Sequence, residues 1–321
     1  MLILPLGSWR MAYSFQTLLC SIFRYQSQSQ ILRAPPTFRT YPPKNAQIVM
    51  SNNVSHQFPR TSITPTQSPK YWAKEKDRYI RQLLISDIQE LTNRPLIVYF
   101  AQLDQQINFT DPDDLSEIIS GIGAEEVDLL IQTPGGVVDA TEKLIGILRH
   151  KFKKWRVIVP SWAKSAGTVI ALSAEKIVMG INSELGPIDP QWQQQGGLSI
   201  PCEIISQDPS QPHHLKKLAE MAVNRMRSLA KLLLKNGMMQ DKSDEEIEAV
   251  LKKLSNPSSY NSHAAVIDYH EAIDIGLSAE YLKHDDDLWK KLWLLYCLYD
   301  YDTKSKGLGR LIEGEVLSIS R

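Results

Sequence analysis

The sequence lacks the features that define several classes of protein. It has only three cysteines in 321 residues, and no two of them form a CxxC pair, so neither a disulfide framework nor a thiolate zinc site is expected. No uninterrupted apolar run reaches the roughly 18 residues that a membrane-spanning helix needs. Basic and acidic side chains balance at 36 each, which leaves no positive excess for nucleic-acid binding through counterion release. We therefore expect a globular protein that uses no metal, no cofactor and no nucleic acid.

Acidic residues are also missing from the first part of the chain. Residues 1–70 contain no Asp or Glu, and the first acidic residue is Glu75. An Arg-rich, Ser-rich and acid-poor composition is typical of organellar targeting leaders. A true start at Met50, or a disordered segment without function, are the alternatives. We assign residues 1–70 to a disordered segment or leader, residues 71–285 to one globular domain, and residues 286–321 to a C-terminal helix and tail.

Hydrophobic patterning predicts the fold class of that domain. Short runs rich in Val, Ile and Leu predict four buried strands, at residues 95–101, 127–132, 155–159 and 176–179. Helical spacing predicts helices at residues 79–91, 114–120, 137–152, 166–174, 215–236, 244–254 and 288–300. Alternating strands and helices indicate an α/β fold with a mostly parallel sheet covered by helices. Catalytic groups in such folds lie on loops just beyond the carboxyl ends of the strands.

The loop after the second predicted strand carries a glycine pair, Gly135-Gly136, in the sequence QTPGGV. Glycines between a strand and a helix let backbone N–H groups point at a ligand, with support from the helix N-terminus. Such a loop binds a phosphate or a developing oxyanion, or it is a simple tight turn. It matches neither the Walker loop nor the GxGxxG pattern.

The loop after the third predicted strand places Ser165 at the start of a helix, between Lys164 and the small residues Ala166 and Gly167. A hydroxyl at this point is exposed, and its oxyanion would face the positive end of the helix dipole. The Ala166 N–H could donate to a tetrahedral oxygen. The alternative is that Ser165 only caps the helix.

Together with a third motif, these loops resemble a known family. The motifs are TPGG at residues 133–136, AKSAGT at residues 163–168 and LGPIDPQ at residues 185–191. In this order and spacing they resemble the ClpP/crotonase fold, and within it the serine dehydrogenase proteinase family, which is related to signal peptide peptidase A. The resemblance covers residues 79–280 and neither flank.

The resemblance implies a serine peptidase (a hydrolase) with a protein or peptide substrate and a ClpP/crotonase-like domain of repeated ββα and βαβ units. Ser165 matches the position of the nucleophile, Gly135 and Gly136 match the glycine pair that supplies one oxyanion N–H, and Ala166 would supply the other. Lys164 departs from the family, which commonly has a small or apolar residue there. It would lower the pKa of the hydroxyl or point to solvent.

The general base stays open at this stage. The position at which ClpP carries its histidine falls near residues 187–190, which offer Asp189 but no His or Lys. His263 lies where ClpP carries its acidic residue, so one arrangement has His263 taking the proton while Asp189 orients the imidazole or holds its turn. Three lysines are the alternative bases: Lys216, Lys217 and Lys164. A site without a competent base is the remaining option.

Two other functions remain open beside the endopeptidase. A crotonase-like acyl-CoA enzyme would use the two backbone donors on a thioester, but it needs no hydroxyl at Ser165. A catalytically inactive scaffold would keep the fold for assembly. The resemblance also implies a homo-oligomer, and we expect a cytoplasmic protein, with membrane association as the alternative. The aromatic helix at residues 288–300 is expected to pack on the core of the domain, with docking to a partner or a membrane surface as the alternative.

Overall fold

A strand-rich centre with helices on both sides makes up the described part of the chain, residues 68–194 and 197–321 of a computed structural model. The strands are β1 (Leu96–Ala101), β2 (Glu126–Gln132), β3 (Lys154–Val159), β4 (Trp162–Ala163), β5 (Lys176–Met179), β6 (Glu184–Leu185), β7 (Gln191–Gln193), β8 (Ser199–Pro201), β9 (Ala279–Tyr281), β10 (Arg310–Glu313) and β11 (Ser318–Ser320). The helices are α1 (Pro69–Lys74), α2 (Lys76–Thr92), α3 (Asp111–Ile119), α4 (Val138–Lys151), α5 (Ala166–Leu172), α6 (Cys202–Gln207), α7 (His213–Asn236), α8 (Asp244–Ser255), α9 (Pro257–Tyr260), α10 (Tyr269–Asp274) and α11 (Asp287–Lys306). The expectations of a leader and of a start at Met50 lie outside the described residues.

The central sheet has seven strands in the order β11-β10-β1-β2-β3-β5-β9. In this sheet β1, β2, β3, β5 and β9 are parallel to one another. Strands β10 and β11 form an antiparallel edge beside β1. All six residues of β1 are buried, which is why its sequence reads as a continuous apolar run rather than an alternating one. The predicted α/β fold with a mostly parallel sheet is confirmed.

Each face of the sheet has its own apolar core. The odd-numbered residues of β1, such as Ile97 and Tyr99, pack with α3, α4, α5, α7 and α8. The even-numbered ones, such as Val98 and Phe100, pack with α2 and α11. This alternation follows from the two-residue period of a strand. Helices therefore cover both faces and leave the loops at the strand ends as the accessible part of the sheet.

The C-terminal region is part of the sheet rather than only a helix and a tail. The sequence analysis did not predict β10 and β11, because β10 reads Arg-Leu-Ile-Glu and its two charged residues look like surface positions. Both are buried: Arg310 pairs with Asp111, and Glu313 pairs with Arg81. Buried ions of opposite sign that are hydrogen-bonded to each other can occupy an interior strand.

Helix α11 packs on this core, as expected for its aromatic residues. Trp289, Leu292, Leu295 and Tyr299 are buried against the β1 face. A Cβ atom at Gly180 would lie 2.4 Å from the Trp289 ring, so the indole sits directly on the backbone beyond β5. Within the described residues, no helix combines the length and the apolar character that crossing a bilayer requires.

Because β2 and β3 are parallel neighbours, their carboxyl ends lie side by side at one edge of the sheet. The glycine loop follows β2, and the loop carrying Ser165 follows β3 and the short strand β4. The two loops that the sequence analysis singled out therefore meet at the same edge.

Replacing the buried indole tests the packing of α11. We expect Trp289→Ala to lower the free energy of unfolding by about 3–5 kcal/mol, because it leaves a large cavity against the sheet. Tyr301→Ala, at a side chain that is 71% exposed in the same helix, should change it by less than about 0.5 kcal/mol. Urea denaturation at constant slope measures both, and equal midpoints for the two variants would contradict this packing.

Candidate active site

The glycine loop is bent into a conformation that side chains rarely adopt. Gly135 has φ 97° and Gly136 has φ 151°, both in the region that favours glycine. A Cβ atom at position 135 would lie 2.7 Å from the Ser165 Cβ and 2.8 Å from the Ala166 nitrogen. Glycine at this position thus allows the loop after β2 to touch the start of α5.

Ile107 holds the second glycine from the other side. The Ile107 N–H donates to the Gly135 carbonyl at 2.8 Å, and the Val137 N–H donates to the Ile107 carbonyl at 2.9 Å. The Gly136 N–H lies between these two hydrogen bonds and donates to no residue within 68–194 or 197–321. It is a fixed donor that stays available to a ligand.

Ser165 is also held in an unusual conformation, with φ 52° and ψ −116°. Non-glycine residues in such regions are strained by about 1–3 kcal/mol and cluster at functional sites. The residue precedes α5, yet its hydroxyl makes no capping hydrogen bond. The interpretation of Ser165 as a simple helix cap is therefore wrong. The half-buried hydroxyl has no hydrogen-bond partner among the described residues.

The Ala166 N–H is the first amide of α5, where helical geometry supplies no acceptor. In the described part of the chain it donates no hydrogen bond. Ala166 directly follows Ser165 in the sequence, and its nitrogen lies against Gly135. A hydroxyl and two unused backbone donors, those of Gly136 and Ala166, thus share one small region. This is the set of groups that a tetrahedral oxyanion requires.

Two further contacts fix the loops to each other. Thr133 pairs with the β4 strand, because the Lys164 N–H donates to the Thr133 carbonyl at 3.0 Å. The buried Thr168 hydroxyl lies 2.8 Å from the Ala163 carbonyl and 2.9 Å from the Gly186 carbonyl, and it accepts from the Gly186 N–H at 3.0 Å. Thr168 thereby ties α5 to the turn after β6. Thr168 is the last residue of the AKSAGT motif, and the sequence alone did not predict this role for it.

His263 and Asp189 form a hydrogen-bonded pair. The His263 Nδ1 lies 2.7 Å from the Asp189 Oδ1, although 74 residues separate them. The carboxylate is almost fully buried and also accepts from the Gln191 side chain at 2.5 Å. A carboxylate at Nδ1 favours the tautomer with the proton there, which leaves Nε2 free to accept one. The sequence analysis missed the contact of Gln191, which its third motif contains.

No hydrogen bond joins His263 to Ser165 in this structure. The loop of His263 is instead connected to the Ser165 loop through Lys164, whose Nζ donates to the Ala265 carbonyl at 3.0 Å. Catalytic hydrogen bonds are often long or absent without substrate and tighten in the substrate complex. The two residues are thus linked through Lys164, which precedes Ser165, and Ala265, which lies two residues after His263.

Lys164 points inward, so the expectation that it points to solvent is wrong. Its Nζ lies 3.0 Å from the Leu185 carbonyl and 3.1 Å from a Glu184 carboxylate oxygen, in addition to Ala265. Burial lowers the pKa of the Lys164 amine, and the hydrogen bond and charge of Glu184 oppose that shift. In its ammonium form Lys164 has one acceptor for each of its three hydrogens, and none of these acceptors is Ser165.

The other two lysines lie elsewhere. Lys217 is exposed on α7 and pairs with Glu220 at 2.9 Å. Lys216 lines a surface cavity of about 340 Å³ together with Lys217, Glu220, Ser206 and His213. Within residues 68–194 and 197–321, no hydrogen bond or ion pair connects either lysine to Ser165. The structure brings Ser165, Gly135, Gly136 and Ala166 together and pairs Asp189 with His263, whereas Lys216 and Lys217 stay apart from both groups.

The family is decided by a sequence-profile match. Residues 105–308 match the profile of the ClpP-like SDH-type serine proteinases. The chain belongs to this family. The match includes both loops, the turn after β6 and His263, and the family is one of serine peptidases.

Relatives of this SDH-type family member include two uncharacterized proteins of Methanocaldococcus jannaschii. MJ0137 is 32% identical over 207 residues, which are 62% of this chain and 68% of the relative. MJ1495 is 32% identical over 158 residues, which are 46% of this chain and 52% of the relative. The match thus spans only about half the length of MJ1495.

Solved structures similar to this SDH-type family member include two proteases. A mutant of the 1510-N membrane-bound stomatin-specific protease is 21% identical with a TM-score of 0.42, and the match covers 61% of this chain and 84% of that one. ClpP1 from Listeria monocytogenes is 20% identical with a TM-score of 0.38, over 62% and 98% of the two chains.

A methyl group at the loop contact tests the geometry of the site. We expect Gly135→Ala to lower the rate at which a fluorophosphonate labels the protein by about 100-fold, because the added atom separates the glycine loop from Ala166. Gly146→Ala is the matched control, since a Cβ at that position of α4 meets nothing within 4 Å. Labelling that is unchanged in Gly135→Ala would show that the contact has no part in the reaction.

Proposed function

We propose that the chain is a serine endopeptidase that hydrolyses peptide bonds through an acyl-enzyme on Ser165. The observation that carries this proposal is the uncommitted Ser165 hydroxyl in a strained conformation beside two unused backbone donors. Strain at a residue whose side chain caps nothing is hard to explain by folding alone. Membership of a serine proteinase family supports the same reaction.

In the proposed reaction the Ser165 Oγ attacks the carbonyl carbon of a peptide bond while its proton passes to the Nε2 of His263. Asp189 keeps the imidazole in the tautomer that can accept this proton and stabilises the imidazolium that forms. The negative charge on the former carbonyl oxygen is bound by the N–H groups of Gly136 and Ala166. The protonated His263 then returns the proton to the leaving amine, and water hydrolyses the ester by the same steps.

Substrate binding has to bring His263 within reach, because the two side chains are not hydrogen-bonded without it. The ring is about one-third exposed and lines a cavity of about 580 Å³. The cavity is lined both by polar side chains, including those of Ser199 and Asn261, and by apolar ones, including those of Ile204 and Pro257, and it ends short of Ser165. A peptide chain passing this cavity would exclude water from the imidazole and favour its contact with the hydroxyl.

The nucleophile is tested by covalent labelling. We expect a fluorophosphonate to add to the wild-type protein at Ser165 and labelling to disappear in Ser165→Ala, as measured by the mass of the labelled peptide. Ser161→Ala, in the same loop, should label normally. A wild-type protein that takes up no label would favour the thioester enzyme or the inactive scaffold, and a label elsewhere would reject Ser165.

The base is tested at its own position. We expect His263→Ala to lower the labelling rate by about 10²–10⁴-fold without lowering the melting temperature appreciably, since general-base catalysis contributes about that much. His270→Ala is the control, because that histidine is exposed on the nearby α10. Full activity in His263→Ala would move the proton-accepting role to another group.

The homo-oligomeric state and the cytoplasmic location stay predictions.

A further inference from the structure

The Lys164 side chain connects its own loop to strand β6 and to the segment after His263. Its Nζ lies within 3.1 Å of acceptors on Glu184 and Leu185 of β6 and on Ala265, two residues after His263. Lys164 itself is bonded to Ser165 through the backbone. We infer that Lys164 is a positioning residue that holds the His263 loop against the nucleophile loop, an inference that rests on the proposed function.

The stem of Lys164 is packed against the turn after β6. A Cβ atom at Gly186 would lie 2.8 Å from the Lys164 Cδ, so the side chain runs directly over the backbone of the turn. The Lys164 side chain is only 16% exposed. The Gly186 N–H donates to the Thr168 hydroxyl at 3.0 Å, which holds the backbone of the turn in place. Packing against the turn thus fixes the direction of the Lys164 ammonium, which is not the case for a flexible lysine on the surface.

The segment that Lys164 binds has few other anchors. Ser262, Ala264 and Val266 are exposed, and the amides of Ala264 and Ala265 bond only to Ser262 within the segment. Among the described contacts, the anchors to the rest of the protein are the Asp189–His263 pair, the burial of Ile267 in the core with its two backbone hydrogen bonds to Leu185, and the Lys164–Ala265 hydrogen bond. Of these, only the last connects the segment directly to the residue next to Ser165.

The same contacts define what the loss of the ammonium would do. Without it, the carbonyls of Leu185 and Ala265 and the carboxylate of Glu184 lose a shared donor in a poorly hydrated place. The Ala265 carbonyl would turn towards water, and His263 would move with it. A displacement of about 1 Å at a reacting group can lower a rate by about 100-fold.

A double-mutant cycle tests whether Lys164 acts through His263. We expect Lys164→Met, which keeps a similar stem but donates no hydrogen bond, to lower the fluorophosphonate labelling rate by about 10–100-fold. In the His263→Ala background the same change should lower it by less than about threefold, because no positioned base remains to be lost. A purely structural role would give the same loss in both backgrounds, which would overturn the inference.

Hydrogen exchange tests the tether without relying on activity. In Lys164→Met the hydrogen-bonded amides of Ala264, Ala265 and Ile267 should exchange at least about tenfold faster than in the wild type, because the segment opens locally. Lys153→Met is the control, since Lys153 is exposed and pairs only with Glu125, and its exchange should match the wild type. Unchanged exchange in Lys164→Met would also overturn the inference.

The two readouts separate this inference from the proposed function. A wild-type protein that is not labelled at Ser165 rejects the peptidase, while hydrogen exchange still decides whether Lys164 tethers the loop. If Lys164→Met does not fold, Lys164→Arg replaces it, because the donors of a planar guanidinium are arranged differently from those of an ammonium surrounded by three acceptors. Its labelling should fall by about five- to tenfold, and only when His263 is present.

Discussion

The contact between the glycine loop and the start of α5 is the constraint on which the site depends. It requires that β2 and β3 be adjacent and parallel, that Gly135 carry no side chain, and that Ser165 accept a strained backbone. The buried sheet supplies the stability that offsets this strain. Given that contact, a hydroxyl and two unused amides come together without any of them being recruited from a flexible segment.

The strands that were predicted from the sequence are those whose residue pattern follows directly from their burial. A strand buried on both faces is apolar throughout, and this is why β1, β2, β3 and β5 were found with bounds that differ by at most one residue from the structure. Strand β10 was missed because its buried Arg310 and Glu313 are stabilised by Asp111 and Arg81, residues about 200 positions away. No local pattern reports such partners.

The candidate site shows the same division. The glycine pair and Ser165 stand at strand ends, where the fold class alone says that chemistry occurs, so the sequence was sufficient to single them out. The inward course of Lys164 could not be foreseen, because two of its three acceptors are backbone carbonyls, which every residue possesses. The Asp189–His263 contact was expected only because family motifs mark both positions. Its geometry with respect to Ser165 had to come from the fold.

A crystal structure of the protein after reaction with a fluorophosphonate is the most direct measurement of the central claim. The account predicts a phosphorus atom bonded to the Ser165 oxygen, with the phosphoryl oxygen about 2.7–3.1 Å from both the Gly136 and the Ala166 nitrogen. An adduct whose phosphoryl oxygen points to solvent, with both amides bonded to other protein groups, would contradict it.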